Sequence, residues 1–294
     1  MITLTMTAPG KNALSTELMT WLIDRLGEAR GEPIFLTGAG DAFSAGLNLK
    51  EVAALDADGM TRFLGTLERM VEALFHYPGP IVAWINGHAI AGGCIVALTC
   101  DHRLMTSQPK ARIGLNEVPL GLRFPPKTWH LVEHRVPAHT RERVVLEGGL
   151  HSPETALRLG LIDEVVAGEA EARAYAERIA ASPGPAYAAA KKALREGVLD
   201  VGPDEERHFR EAVLPGLGDA GAQGAPRRRP RALSVLLTCA CRARRPRRAC
   251  SGDTAGHGRR TARRGPRGRA TSSATRPSSA RRAAWAASRR IPSP

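Results

Sequence analysis

A single carboxylate interrupts a mostly apolar stretch in the middle of the chain. In the sequence RIGLNEVPLG, Glu117 is flanked by Leu115, Val118 and Leu120. An apolar setting removes water from a carboxylate and raises its pKa toward the range in which it can take up and release protons. A surface or helix-capping glutamate could carry the same local sequence. Glu117 is therefore a candidate acid–base residue with a plain structural alternative.

Two glycine-containing segments could supply backbone amides next to such a residue. In AGGCIVALTCD, Gly92 and Gly93 open a short apolar helix, and the first N–H groups of a helix have no intrahelical partner. In DAFSAGLNL (41–49), a loop of small residues also leads into a helix. Two amides from two such loops are the donor pair that stabilises an oxyanion. Glycines that simply permit close packing are the alternative interpretation.

The cysteines do not indicate a metal site. The five are Cys94, Cys100, Cys239, Cys241 and Cys250, and they show no paired CxxC spacing. The first two lie in an apolar run, where a free cysteine behaves as a small apolar residue. We therefore expect reduced, buried thiols and no bound metal.

Short strands and amphipathic helices alternate along the chain. Strands are predicted over ITLTM (2–6), PIFLTG (33–38), IVAWINGHA (81–89), HRLMTS (102–107) and ARIGL (111–115). Helices are predicted from Ser15 and over 60–76, 90–101, 126–135, 140–147, 169–182 and 185–197. The segment SPETALRLGLIDEVV adds a serine-capped helix, a glycine stop and a strand. This alternation indicates an α/β fold of stacked ββα units.

Charge is distributed unevenly along the chain. The formal net charge is +13, but residues 221–294 contain 20 Arg, no Lys and one acidic residue, Asp253. Residues 1–220 hold 22 basic and 28 acidic side chains, so this part gives no reason to expect nucleic-acid binding. Segment 221–294 is rich in Arg, Ala, Pro, Ser and Gly without sustained periodicity. We predict that it is a disordered basic tail.

Neither a membrane span nor a secretion signal is predicted. No apolar run reaches the length of a span. The N-terminal sequence MITLTMTAPGKNALS lacks a basic segment followed by an apolar one. We therefore expect a cytoplasmic protein without membrane partners.

Five motifs occur together along the chain: NAL (12–14), FSAGLNLKEV (43–52), INGHAIAGGCIVALTCDHRL (85–104), IGLNEVPLG (113–121) and ALRLGLIDEVV (156–166). Together they resemble the crotonase superfamily of enoyl-CoA hydratases and isomerases. Their order and spacing match the family, and AGGCIVALTCD and IGLNE are most similar to mitochondrial-type Δ3,Δ2-enoyl-CoA isomerases. The resemblance implies a crotonase-type spiral over 1–186, a C-terminal helical region over 187–220, and assembly as a homotrimer or dimer of trimers.

The resemblance also implies a substrate and a set of reacting groups. The substrate would be an acyl-CoA thioester, so that coenzyme A enters as part of the substrate and no separate cofactor is needed. Glu117 would move the proton. The backbone amides of Leu47 and Gly92 would hold the thioester oxygen.

Further residues match binding positions of the family. Candidates for contact with coenzyme A are Lys11, Ala45 and Lys50, although ordinary surface lysines would look the same. Candidates for the apolar wall of the acyl pocket are Leu122, Phe124 and Trp129.

The number of acid–base groups bears on the choice between isomerase and hydratase. The resemblance implies that hydratases carry a second glutamate. When the segment TRERVVLEGG is aligned on Leu146 and Gly148, Arg143 stands at that position. The neighbouring Glu142 and Glu147 are interpreted as solvated helix charges. Moving a double bond needs one base, whereas adding water is helped by two acid–base groups. A lone Glu117 therefore favours an isomerase, with a hydratase as the alternative.

The arginine-rich segment leaves a different class of function open. As a genuine arm it would bind nucleic-acid phosphates, in a protein whose catalysis is impaired. Its one aromatic residue, Trp285, offers little for base stacking. The other interpretation is an unstructured or frame-shifted product, for which a shifted reading of the coding DNA would restore a family-like terminus.

Overall fold

A computed structural model describes residues 1–182 and 184–214. The strands are β1 (Ile2–Met6), β2 (Ile34–Gly38), β3 (Ala42–Ser44), β4 (Ile81–Ile85), β5 (His88–Ile90), β6 (His102–Thr106), β7 (Ile113–Gly114) and β8 (Glu164–Val166). The helices are α1 (Pro9–Asn12), α2 (Thr16–Ala29), α3 (Leu49–Val52), α4 (Ala57–Phe75), α5 (Gly92–Thr99), α6 (Pro126–Arg135), α7 (Ala138–Glu147), α8 (Pro153–Leu159), α9 (Glu169–Ala180), α10 (Gly184–Arg195) and α11 (Pro203–His208). A 3-10 turn covers Val118–Leu120, and a π-helical turn covers Phe209–Val213.

The strands form two parallel sheets. The larger has the order β1–β2–β4–β6–β8 and the smaller has the order β3–β5–β7. In three successive turns of the chain, the first strand joins the larger sheet, the second joins the smaller sheet, and a helical segment follows. The predicted spiral of ββα units is therefore confirmed.

Two predicted boundaries differ from the structure. The expected loop at 41–49 contains β3, and the expected continuous strand at 81–89 is broken at Asn86 and Gly87. A Cβ on Gly87 would lie 2.0 Å from the carbonyl oxygen of Asp41, so the turn packs directly on the preceding unit. Asn86 Nδ2 donates to the carbonyls of Gly38 and Gly40 at 2.8 and 3.0 Å. The mostly apolar character of 81–89 favoured a continuous strand, although the Asn-Gly dipeptide is a common turn signal.

The two faces of the larger sheet pack against different layers. The main core fills the space between the sheets and helices such as α2, α4 and α5. A smaller core covers the outer face, where Phe35, Trp84 and Leu104 contact α9 through Ala172 and Ala176. Both helical faces predicted as amphipathic, on α2 and α4, are buried as expected.

A buried ionic cluster fastens α10 to the end of α5. Asp101, just after α5, accepts hydrogen bonds from Lys191 and Arg195 at 2.7 Å each. It also accepts from the backbone amide of Ile81, at the start of β4, at 2.7 Å. All three charged side chains are almost fully buried. The domain boundary expected after residue 186 falls within α10, and the predicted basic tail at 221–294 lies outside the described residues.

Within residues 1–182 and 184–214, none of the helices combines the length and the apolar character that crossing a membrane requires.

Candidate active site

The three segments with candidate catalytic groups follow the three strands of the smaller sheet. Leu47 follows β3, Gly92 follows β5 and Glu117 follows β7. The strands are parallel, so these segments leave the sheet at the same, carboxyl-terminal edge. The fold thus brings together residues that are separated by up to about 70 positions in the sequence.

Leu47 presents its backbone amide away from its own neighbours. Leu14 forms a parallel bridge with Leu47: Leu14 N donates to Gly46 O at 2.8 Å, and Asn48 N donates to Leu14 O at 2.9 Å. The N–H of Leu47, which lies between these two bonds, points to the opposite side. It donates to no acceptor among the described residues. The amide is therefore free for a ligand.

The amide of Gly92 opens α5 from a strained turn. Ala91, before it, has φ 49° and ψ −118°, a conformation that residues other than glycine rarely adopt. Gly92 N donates to no acceptor in the described part of the chain, as expected for the first residue of a helix. Strain of this kind costs about 1–3 kcal/mol and persists where the surrounding structure enforces it.

The loops with these two amides are in direct contact. A Cβ placed on Gly46 would lie 3.4 Å from the backbone nitrogen of Gly92. A Cβ placed on Gly92 would lie 3.4 Å from Cδ2 of Leu47. The approach requires glycine at position 93, where a Cβ would lie 2.2 Å from the carbonyl oxygen of Ser44. Amides without an acceptor on two contacting loops are candidates for binding a developing oxyanion.

Glu117 is a buried carboxylate. It is 8% exposed, and its Oε2 has no hydrogen-bond partner among the described residues. Burial raises the pKa of Glu117 to about 7. Its backbone carbonyl accepts from Leu120 at 3.0 Å and from Leu122 at 2.9 Å, which fixes the turn around it. A carboxyl group in this state can exchange a proton near neutral pH.

Helix α5 forms the neighbourhood of Glu117. Ala91 N donates to Gly114 O at 2.9 Å, three residues before Glu117. Burial raises the pKa of the Cys94 thiol, and the negative charge of Glu117 raises it further. No residue of α5 is charged. Among the described residues, no neighbouring charge contributes to the pKa of Glu117.

Two expectations about the surroundings of Glu117 were wrong in detail. Val118, expected to shield the carboxylate, is 41% exposed, whereas Leu115 is fully buried. Arg143 was taken to occupy the place of a second acid–base group. Its side chain is 61% exposed and pairs with Glu147 on α7 at 3.5 Å. Helix α5, which follows the Ala91 amide that bonds to Gly114, contains no acidic residue that could act with Glu117. Glu142 and Glu147 are exposed, as predicted.

The candidates for coenzyme A contact are only partly brought together. Lys11 O accepts from the amide of Ala45 at 3.0 Å, so these two residues are adjacent. Lys11 Nζ pairs with Asp41 at 2.8 Å, and both side chains are largely exposed. An exposed pair of this kind is weak and can open for an anion. Lys50 is exposed in the first turn of α3, where Asn48 caps the helix as predicted.

Two of the three candidates for the apolar wall are in contact with each other. Leu122 bonds to the backbone of Glu117, as described above. The rings of Phe124 and Trp129 lie with their centroids 5.9 Å apart. All three side chains are partly buried, and both aromatic rings pack on the main core. The aromatic pair therefore lies at the start of α6, and Leu122 is tied to the turn of Glu117 through the backbone.

Comparison with known proteins decides the family. The model of the enoyl-CoA hydratase/isomerase family matches residues 1–215. The chain belongs to this family. The crotonase fold, expected from the motifs, is confirmed by solved structures of members. The human mitochondrial delta3-delta2-enoyl-CoA isomerase superimposes with a TM-score of 0.68 at 27% identity, covering 81% of this chain and 93% of the other. An enoyl-CoA hydratase from Bacillus halodurans gives 0.64 at 26%, covering 74% and 90%.

Curated relatives include both activities of the enoyl-CoA hydratase/isomerase family. The human mitochondrial enoyl-CoA delta isomerase 1 is 32% identical over 163 residues, which is 54% of each chain. The match thus spans about half the length of that relative. A putative enoyl-CoA hydratase from Thermus thermophilus is 34% identical over 217 residues, covering 71% of this chain and 78% of the relative.

Sequence reasoning did not single out one buried polar residue that holds a loop of the site. Asn12, in the NAL motif, is 3% exposed, and its Nδ2 donates to the carbonyls of Ala39 and Ala42 at 2.9 and 2.8 Å. Ser44 Oγ donates to Asn12 O at 2.8 Å. Asn12 thereby holds β3, and with it the loop to Leu47. A polar residue within an apolar motif was the available sign.

Proposed function

We propose that the protein is an enoyl-CoA isomerase that converts a 3-enoyl-CoA into the conjugated trans-2-enoyl-CoA. The observation that carries the proposal is the buried Glu117, with a pKa raised to about 7 and without an acidic neighbour on α5. An acyl-CoA substrate agrees with the family. The trimeric assembly and cytoplasmic location remain predictions.

In the proposed mechanism, the ionised carboxylate of Glu117 removes a proton from C2 of the substrate. The electrons move into the thioester, so that its oxygen becomes an enolate oxygen. Glu117 then returns the proton at C4, and the double bond reforms between C2 and C3. Protons and electrons balance without an oxidant or a second base. A pKa of about 7 suits both steps, since the same group must take up and release the proton.

The amides of Leu47 and Gly92 are proposed to stabilise the enolate. Neither donates to an acceptor among the described residues, and their loops are in contact. Donors that are already oriented do not have to reorganise as charge develops, which lowers the barrier. The strained turn at Ala91 fits this role because it fixes the direction of the Gly92 amide.

The proposal is tested by supplying the purified full-length protein with a 3-enoyl-CoA and, separately, with a 2-enoyl-CoA. We expect the conjugated thioester to appear from the first substrate, with little hydration of the second. Rapid hydration of the 2-enoyl-CoA would favour the second candidate, an enoyl-CoA hydratase, whose support is the relative from Thermus thermophilus.

A further inference from the structure

Helix α6 begins at two prolines and is capped by a side chain from α4. Pro125, at the N-cap, has no side-chain acceptor, and Pro126, the first helical residue, has no N–H. The first available amide, of Lys127, donates to Glu68 Oε1 at 3.2 Å. A carboxylate in this position satisfies the amide and complements the positive end of the helix. Glu68 therefore fixes the start of α6 relative to α4.

A second acidic residue of α4 makes a different contact with the same lysine. Glu72, one turn after Glu68, pairs with the side chain of Lys127 at 2.6 Å. Both members of this pair are partly exposed, so it is a weak surface interaction. Glu68 thus holds the backbone of α6, whereas Glu72 contacts only a flexible side chain.

Glu68 lies where burial disfavours its charged form. Its side chain is partly buried, and burial raises the pKa of its carboxyl group. The amide and the charge of Lys127 lower the pKa, whereas Glu206 of α11 and Glu72 raise it. These are the charged groups that face Glu68 from α4, α6 and α11. Glu68 makes one specific backbone contact, with the amide of Lys127, at a position where its charge is disfavoured. We infer that this contact contributes to the position of α6.

The capped turn carries the aromatic part of the apolar wall. Phe124 directly precedes Pro125, and Trp129 N donates to Pro125 O at 2.9 Å. The two aromatic rings contact each other across this turn, with centroids 5.9 Å apart. A shift at the start of α6 would therefore move both rings together.

We propose that Glu68 is a positioning residue for acyl-chain selection: by capping α6 it holds Phe124 and Trp129 where they contact the distal part of a long acyl chain. This inference rests on the acyl-CoA substrate of the proposed function, but not on the choice between isomerisation and hydration. It assigns Glu68 no contact with substrate.

The test measures the binding of butanoyl-CoA and decanoyl-CoA, which are saturated and cannot react, by calorimetry with the full-length protein. We expect the wild type to prefer the longer chain. Glu68→Ala should reduce that preference about tenfold, equivalent to the contact of roughly two methylene groups. Glu68→Asp, which keeps the charge but is too short to reach Lys127, should behave similarly if the alanine variant folds poorly.

Two matched variants separate this role from general stability. Glu68→Gln retains an acceptor oxygen at the same length and should keep the chain preference within about twofold of wild type. Glu72→Gln removes the weak side-chain pair with Lys127 and should also keep the chain preference. Hydrogen exchange of segment 121–131 should accelerate in Glu68→Ala but not in Glu72→Gln.

Three results would overturn the proposal: a wild type without chain preference, an unchanged preference in both Glu68→Ala and Glu68→Asp, or an equal loss in Glu72→Gln. A wild type that selects the longer chain but hydrates 2-enoyl-CoA would refute the isomerase and leave the role of Glu68 intact.

Discussion

A Cβ atom on Gly93 would lie 2.2 Å from the carbonyl oxygen of Ser44, so α5 and β3 approach more closely than any side chain permits. The same contact aligns the loops of Leu47 and Gly92. We expect Gly93→Ala to destabilise the fold by about 3 kcal/mol or more, because the backbone must move. Thermal and denaturant unfolding measure this change.

A glycine in open space provides the control for that substitution. Gly27 lies in α2, and a Cβ there would meet no atom within 4 Å. Gly27→Ala should stabilise the protein by up to about 1 kcal/mol through helix propensity. Equal effects of the two alanine substitutions would contradict the close approach at Gly93.

Glu117 sets the pH dependence of the proposed reaction. The carboxylate must be ionised to remove a proton, and its pKa is raised to about 7. We therefore expect kcat/KM to rise with pH and to reach half its plateau near pH 7. Glu117→Gln should lower kcat by about 100- to 10,000-fold. Glu147→Gln, a change at an exposed acid on α7, should leave the profile unchanged; a flat profile in the wild type would exclude Glu117 as the base.

The same buried carboxylate should reduce stability at high pH. Its pKa rises from about 4.5 in the unfolded chain to about 7 in the folded protein. Below pH 4.5 the carboxyl group of Glu117 is protonated in both the folded and the unfolded protein, so its burial does not reduce the free energy of unfolding. Above pH 7 the folded state must bury the charge, at a cost of about 3 kcal/mol. Glu117→Gln should therefore stabilise the protein at pH 8.5, and the gain should disappear near pH 4.5.

Unfolding curves of both proteins across this pH range measure the effect. A gain that is independent of pH would mean that ionisation of Glu117 is not its cause.

Loss of Asp101 should be severe because it leaves two buried cations without a counter-charge. Lys191 and Arg195 have side chains that are 6% and 5% exposed. We expect Asp101→Asn to cost about 3–5 kcal/mol in denaturant unfolding. Arg143→Ala breaks the exposed pair with Glu147 and should cost less than about 0.5 kcal/mol. Similar losses in the two variants would show that the Asp101 cluster is solvated.

Capping residues and glycines in the sequence correctly predicted helix ends, because residues close in sequence determine where a helix begins and ends. Ser15 and Ser152 cap α2 and α8 as expected, and Gly160 ends α8 in a left-handed conformation. The apolar residues around Glu117 in the sequence correctly predicted its burial, although Val118 itself is exposed.

The features that sequence reasoning missed depend on contacts between distant segments. Strand β3 has three residues, too short to show a period, and it forms by pairing with β5. A strand was predicted over ARIGL (111–115), but β7 covers only Ile113 and Gly114, the two residues that pair with β5. The contact of Glu68 with Lys127 links two helices across 59 positions, which no single pattern encodes. Arg143 was misplaced because a position aligned by sequence was assumed to face the site.

The strand order of the smaller sheet also has a consequence for the sequence of steps in folding. Leu47, Gly92 and Glu117 belong to three consecutive turns of the spiral, and each turn pairs in parallel with the one before. Parallel pairing is non-local and slow to form. Pairing of β3 with β5 can bring the loops of Leu47 and Gly92 together, but the proposed base Glu117 reaches them only after β7 has paired with β5. Recovery of turnover during refolding would therefore report the closing step of the pathway, later than the recovery of helical circular dichroism.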